Sequence, residues 1–314
     1  MSQRKVTVKD LARICGVSIG TIDRAINDRG GINPETKKKI LDAARENGFV
    51  KNQTALSLSS GRPTLIGVIT TVLNNEFQTT MLTAIEEEAR HRGFSTLIML
   101  SGFDEKTELA ALGRMLSMNV AGVITFSVAH DTESYIRLPE TIPVVAVGNR
   151  IDDRIPFVGI DDRSAMRAGT EYVAGRGYDR LVYVAPLLER EGTQNMSAQT
   201  ERRDGFLDAV RGSGVRYDII DSYEKYGRLG SYIGVERMAF VCSSDAYTVR
   251  CLPLRSENVG VMGFDRLGMI EALVPDISGV VYPTSEIGRS AVDALLDRGG
   301  DRILSYEIAG GGTV

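Results

Sequence analysis

The chain has 314 residues, 43% hydrophobic and 25% charged, with 37 Lys and Arg against 41 Asp and Glu. That length supports more than one packed core, and the absence of a membrane-spanning run or cleavable leader argues against a membrane partner and for residence in the cytoplasm. Three cysteines without metal spacing and two histidines remote from any serine or carboxylate motif give no reason to expect a disulfide framework, a zinc site or a histidine-based triad.

In chain order, the first expected elements are two short helices around a glycine turn. Thr7 can cap the first, with Asp10 completing a variant of the capping box, and Ser18 can cap the second. Val8, Leu11 and Ala12 form one apolar stripe, and Val17, Ile22, Ala25 and Ile26 a matching one. Packed across the turn at Gly16, the two stripes make a helix-turn-helix, with Ile19, Gly20, Asp23 and Arg24 on the outer face of the second helix, where a recognition helix meets base edges.

A third helix starts at Asn33-Pro34 and stops at Gly48, with Ile40, Leu41 and Ala44 placed to cover the first two. Lys37, Lys38 and Lys39 lie near its start. They cannot all face one way, and contact with phosphate and a solvated face are both open. Through Arg62, twelve Lys and Arg face six Asp and Glu, whereas the rest of the chain carries 25 against 35. An acidic protein therefore carries a basic head, and the local field is what a phosphate backbone meets. The stretch from Val50 to Pro63 ends as a linker in Ser59-Ser60-Gly61-Arg62. Its middle, Asn52 to Leu58, is too short to be helical alone and needs DNA or a second copy to order it.

Beyond Pro63, apolar runs at 65–69, 96–100, 121–125, 142–147, 181–185, 238–241 and 259–262 are candidate strands, separated by helical stretches such as Met81 to Arg92 and Ala165 to Arg176. Alternation of this kind predicts an α/β body with parallel sheets wrapped on both faces. Neither a Rossmann glycine fingerprint nor a P-loop follows any strand, so no nucleotide cofactor is expected. Gly310-Gly311-Gly312 has no helix after it and reads as an appended tail linker.

The order of these features carries a resemblance. The helix-turn-helix, the third helix, the hinge pattern Asn52-x-x-Ala55-x-Ser57-Leu58 and then Leu65-Ile66-Gly67-Val68-Ile69 resemble the lactose/galactose-repressor (LacI/GalR) family. Later markers agree in order and spacing: Asn75-Glu76-Phe77 against the family's Asn-Pro-Phe, Ile142-Pro143-Val144-Val145, Val158-Gly159-Ile160-Asp161-Asp162, Arg202-Arg203-Asp204-Gly205-Phe206, Ser244-Asp245 and Val261-Met262-Gly263-Phe264-Asp265. The resemblance implies a two-lobed, type I periplasmic-binding-protein-like body, with chain crossings near 160 and 265–283 and ligand in the cleft. It divides the chain into a DNA-binding domain at 1–50, a hinge at 51–62 and a ligand-binding and dimerisation domain at 63–314.

Carried over position by position, the family pattern implies base contacts from Ile19, Gly20 and Arg24 and phosphate contacts from Ser18, Thr21 and Asn27. Arg24 suits a bidentate bond to guanine, and Ile19 a thymine methyl. Asp23 departs from the usual serine; acceptance from a cytosine amino group and pairing with Arg24 are both open. Asn52 and Ala55 match hinge positions, and Leu58 matches the leucine that wedges into the minor groove, though a contact between subunits serves equally. Leu56 and Lys51 depart from the family at the hinge. Two hinges on one site imply a homodimer on a near-palindromic double-stranded operator.

For the effector, the resemblance points to Arg202 and Asp265, with Phe77 placed to stack on a sugar ring and Asn75, Asn149, Asp161 and Ser244 as further candidates. Planar arginine and carboxylates suit hydroxyl groups, so a sugar or sugar acid is expected. Gly148, Val72 and Ser244 depart from common sugar-binding choices. The regions 222–240 and 245–260 are shorter than the family pattern, and no leucine heptad follows Leu304 to build a tetramer. The implied function is a transcriptional regulator, first a repressor released by its ligand, with corepression as the variant. An α/β enzyme with an accessory DNA-binding head is the alternative from another class, though no metal site, cofactor loop or nucleophile–base pair speaks for it. An exported solute-binding protein is opposed by the basic head.

Overall fold

A computed structural model describes residues 6–50, 63–138, 142–186, 192–234 and 236–314. Its contacts separate a unit ahead of Pro63 from a second unit running Pro63–Val314. Asn52, Ala55 and Leu58 lie outside the described residues.

In the first unit each helix begins where a side chain can take up an orphan backbone donor. Helix α1 (Val8–Cys15) starts with the reciprocal box, Asp10 N donating to Thr7 Oγ1 at 3.2 Å and Thr7 N to Asp10 Oδ2 at 3.0 Å. It stops at Gly16, whose φ of +70° is a left-handed value that costs a glycine little. Helix α2 (Ile19–Ile26) is capped by Ser18, whose Oγ accepts from Thr21 N at 3.2 Å. Helix α3 (Pro34–Glu46) is capped by Asn33, with Pro34 in the first turn. Leu11, Cys15, Ile22, Ala25, Ile40 and Ala44 form the shared core, with Val8, Ala12, Val17 and Ile26 packed at its edge. At about 1.5–3 kcal/mol for each fully buried large aliphatic side chain, Leu11, Ile22 and Ile40 dominate this small core. Leu41, expected to help cover the first two helices, is only half-buried, and Cys15 takes a place the stripe reading did not give it.

The second unit is an α/β body of two parallel-sheet lobes. In chain order it comprises β1 (Leu65–Thr70), α4 (Glu76–His91), β2 (Ser95–Leu100), α5 (Glu105–Ser117), β3 (Val123–Thr125), α6 (Glu133–Ile136), β4 (Val144–Val147), β5 (Phe157–Ile160) and α7 (Asp162–Ala174). There follow β6 (Arg180–Val184), α8 (Ser197–Val210), β7 (Arg216–Ile220), α9 (Tyr223–Tyr226), β8 (Met238–Cys242), α10 (Asp245–Cys251), β9 (Val259–Asp265), α11 (Gly268–Leu273), β10 (Ser278–Val281), α12 (Thr284–Leu296), β11 (Arg302–Leu304) and β12 (Glu307–Ala309). One sheet has the order β11-β5-β4-β3-β1-β2 and the other β12-β10-β9-β8-β6-β7. Every pairing is parallel except that of β12 with β10. Central strands such as β4, β8 and β9 are buried along their whole length, as sheets covered on both faces require.

The chain passes between lobes three times. It leaves the first sheet after β5 to enter α7 of the second lobe, returns from β10 into α12, which packs on α4 and the first sheet, and leaves again between β11 and β12. The last passage was not visible in the sequence. Between β7 and β8 the described residues form a four-residue α9 and one short 3-10 turn, and the seven-residue α10 follows β8.

The glycine run near the end corrects an expectation. Val261 N donates to Thr313 O at 2.8 Å, and Ser278 N to Thr313 Oγ1 at 2.8 Å, so the segment is built into the second sheet. Gly311 lies so near the backbone that a Cβ there would stand 1.9 Å from Asp276 O. Close backbone approach, not linker flexibility, is the reason for glycine at that position.

Candidate functional site

The head presents its predicted contact face outward. Ile19 is 50% exposed, and Ser18, Gly20 and Arg24 are also exposed, while Ile22 and Ala25 of the same helix face the core. Arg24 makes no side-chain ion pair or hydrogen bond within the described residues, so its guanidinium is available. Thr21 Oγ1 is 2.9 Å from Ser18 Oγ at the helix start. Asp23 does not pair with Arg24. Its Oδ1 accepts from Asn27 Nδ2 at 2.6 Å and its Oδ2 pairs with Arg29 at 2.9 Å. Asn27, expected at phosphate, is therefore partly engaged inside the head. Asp28 pairs with Lys37, whose hydrogen bond holds that carboxyl below its ordinary range. Lys38 and Lys39 remain exposed.

In the body, a cleft of about 440 Å³ lies between the lobes at the carboxyl ends of strands from both sheets, where open α/β sheets place ligands. Asn75, Phe77, Asn149, Arg202, Ser244 and Asp265 all line it. Asp161 does not. It caps α7 by accepting from Ser164 N at 2.9 Å and is exposed, whereas its neighbour Asp162 turns inward to Arg202. A tandem pair of aspartates at a helix start gives one cap and one buried ligand of the arginine, and sequence alone does not say which is which.

Arg202, on α8, is 6% exposed and is the centre of a buried network. Its Nε donates to Asp162 Oδ1 at 2.7 Å, its Nη1 donates to Ser243 O at 2.6 Å and lies 3.6 Å from Asp265 Oδ1, and the guanidinium stands 3.8 Å over the Phe264 ring. Burial opposes the charge, but Asp162, Tyr282 and Asp265 outweigh it and hold the guanidinium pKa above its usual value. For Asp162, burial raises the pKa against the pull of Arg202. Tyr282 donates to Asp265 Oδ1 at 2.5 Å, and burial with the adjacent carboxylate pushes its phenol up. Asp265 has φ of +90° and Arg266 of +47°, two consecutive left-handed residues at the end of β9. Such strain is held only where surrounding contacts fix it, here the Tyr282 and Arg202 bonds.

Gln78 and Asn195 carried no sequence signal, and other residues of the site take up partners that the sequence did not specify. Gln78 is a buried carboxamide whose Oε1 accepts from Thr70 Oγ1 at 2.7 Å and Val72 N at 3.2 Å, bracing the loop after β1. Asn149 is a lobe clasp: Nδ2 donates to Ser127 O and Asn195 O, each at 3.0 Å, and Oδ1 accepts from Ala198 N at 3.2 Å. Asn195 adds bonds to the Arg150 and Val128 backbone. At the other side of the mouth, Glu76 accepts from Met269 N at 3.1 and 3.3 Å. Asn75 spends its Oδ1 capping α4 through Gln78 N at 3.2 Å. Asp245 accepts from Leu267 N at 2.7 Å, and its carboxyl is pushed up to about 7 by burial first and Asp265 second.

Comparison with known proteins supplies the assignment. Residues 64–225 match the family of periplasmic binding proteins and sugar binding domains of the LacI family, and residues 7–52 match the bacterial regulatory proteins of the lacI family. The chain belongs to the LacI family. A periplasmic binding protein-like domain also matches residues 170–305. The transcriptional regulator PtxS of Pseudomonas putida is 26% identical over 95% of this chain and 90% of its own length. The sucrose operon repressor of Lactococcus lactis is 23% identical over 96% of this chain and 97% of its own. The lac repressor dimer bound to operator and the anti-inducer ONPF shares the fold at a TM-score of 0.82, with 20% identity and 99% of each chain covered. This LacI-family protein is thus a DNA-binding transcriptional regulator with a sugar-binding type of body. Among the described residues no helix is long and apolar enough to cross a membrane.

Proposed function

We propose that this regulator is a cytoplasmic homodimeric repressor that holds a near-palindromic operator through two heads and releases it when a small sugar-like effector occupies the cleft. In this reading residues 1–50 read the major groove, 51–62 form the hinge and 63–314 bind effector and partner. Arg24 bonds a guanine edge, Ile19 meets a thymine methyl, Gly20 lets the backbone approach, and Ser18, Thr21 and Asn27 lie along phosphate. At the hinge, Asn52, Ala55 and Leu58 contact the minor groove.

One observation carries the coupling: the two walls of the cleft hydrogen-bond each other directly, through Asn149, Asn195 and Glu76. A ligand placed between walls already in contact changes the lobe-to-lobe geometry, and through it the geometry available to a paired hinge. Arg202, Asp265 and Phe77 are the principal effector contacts, with Asn75, Ser244 and Asn149 around them; the position of Asp161 removes it from this set. Ile98 and Leu100, more than 40% exposed on the edge strand β2, support a subunit interface.

The test is selection of genomic fragments by the full-length protein at near-physiological salt, with and without pools of sugars. Enrichment of a palindrome that one pool abolishes is the expected result. A palindrome strengthened by the pool reverses the sign to corepression, and no enrichment under any pool refutes operator recognition.

A further inference from the structure

The charge of the cleft restricts what can enter it. Arg202 is the only cation among the described residues that line the cleft, and its Nε and Nη1 are already committed to Asp162, Ser243 O and Asp265. Facing it are carboxylates from both lobes: Asp245 and Asp265 from the second and Glu76 from the first. Glu76 is held at the mouth by Met269 N, so its charge stays with the other two wherever the lobes meet. The three act on one another, since Asp265 and Glu76 both raise the carboxyl of Asp245.

We infer that the effector is an uncharged polyhydroxyl molecule and that Glu76 is the residue that excludes sugar acids and sugar phosphates from the cleft. The inference rests on the reading of the cleft as the effector site. An added anion meets the carboxylates of Glu76 and Asp265, joined by that of Asp245 when it is ionised, with no uncommitted cation among the described residues to offset them. At an effective dielectric of about 20 and separations under about 10 Å, one such charge costs roughly tenfold or more in affinity. A hydroxyl meets no such cost. It can donate to a carboxylate and accept from the remaining guanidinium N–H groups, and it matches the carboxamides of Asn74 and Gln199, the latter with a buried Oε1 that has no partner among the described residues. Phe77 and Phe126 supply the apolar faces against which a sugar ring can lie.

The experiment is calorimetric titration of the full-length protein with neutral aldoses, each paired with its aldonate and its 6-phosphate, for the wild type and Glu76→Gln. Glutamine keeps an oxygen for Met269 N and removes the charge. The wild type is expected to bind a neutral member at least tenfold more tightly than its acidic counterparts, and the variant to narrow that ratio by about tenfold. An aldonate or phosphate bound as tightly as its neutral parent overturns the inference, and a ratio unchanged in the variant removes Glu76 from selection. Binding by no compound overturns the polyhydroxyl class, while fragment selection run without ligand reports separately whether operator recognition stands.

Discussion

The head and the body place their working side chains in opposite ways. In the head, Asp23, Asn27 and Arg29 satisfy one another, and Arg24 is left facing solvent. The body buries Arg202 and surrounds it with Asp162, Asp265, Tyr282 and a backbone carbonyl, so its principal polar groups are each other's partners before any ligand arrives. An outward residue can be changed with consequences confined to its own contact. An inward one cannot, because removing it leaves buried charges without partners.

The largest effect that can break this contrast is expected for Arg202→Ala. Removing the guanidinium leaves Asp162 and Asp265 buried without their cation, which costs about 3–5 kcal/mol of body stability in addition to effector affinity. Denaturant unfolding followed by body tyrosines checks this, and a loss below about 1 kcal/mol would mean the network is structurally dispensable. Arg24→Ala is expected to be smaller and different in kind: about 1–3 kcal/mol less discrimination at one base pair, with nonspecific affinity partly kept and head stability unchanged. Binding assays on operator and scrambled duplex distinguish the cases, and equal loss on both would contradict base reading.

The contrast also explains what could be read in advance. Helix caps at Thr7, Ser18 and Asn33 and the stripe of Leu11, Ile22 and Ile40 are local signals, and local hydrogen bonds and packing use them as expected. The strands at 65–70, 95–100, 123–125, 144–147, 180–184, 238–242 and 259–265 were legible for the same reason, whereas the short buried strands Phe157–Ile160 and Ser278–Val281, each interrupted by a glycine, were not. Strands such as Arg216–Ile220, at a sheet edge, and Arg302–Leu304, with half-exposed side chains, mix charge with apolar residues and were not. At the cleft, Arg202 and Asp265 were legible through the resemblance, but the choice between Asp161 and Asp162 depended on which carboxylate caps α7. The roles of Asn149 and Gln78 depend on backbone groups 22 and 46 residues away for the first and on the loop after β1 for the second. No local pattern specifies such partners.

Asn149→Ala sharpens the comparison within the body. It removes three hydrogen bonds, two of which, to Asn195 O and from Ala198 N, join the walls of the cleft, leaves Ala198 N without its acceptor, and is expected to cost about 1–2 kcal/mol. The lobes should also separate more readily, visible as a larger radius of gyration in solution scattering of the ligand-free protein. An unchanged radius and unchanged stability would mean that Asn195 and Glu76 suffice to hold the walls together.

The last expected effect is a difference in pH dependence between the two regions. In the head, the hydrogen bond from Lys37 lowers Asp28, so its contribution is present above the unfolded carboxyl pKa and fades as pH falls through the folded value. In the body, Asp245 is raised to about 7 by burial and by Asp265, so between about 4 and about 7 the folded state binds more protons than the unfolded one. The sign is therefore reversed: this group makes the body less stable as pH rises through that window and adds no further slope above it. Asp245→Asn keeps an oxygen for Leu267 N and removes the titration. Its stability, measured from pH 4.5 to 8, should fall less steeply with pH than that of the wild type, and the difference between the two curves isolates Asp245 from Asp162, which burial also raises. Parallel curves would show that Asp245 ionises normally in the fold, and would weaken the case that carboxylates from both lobes share one negative field.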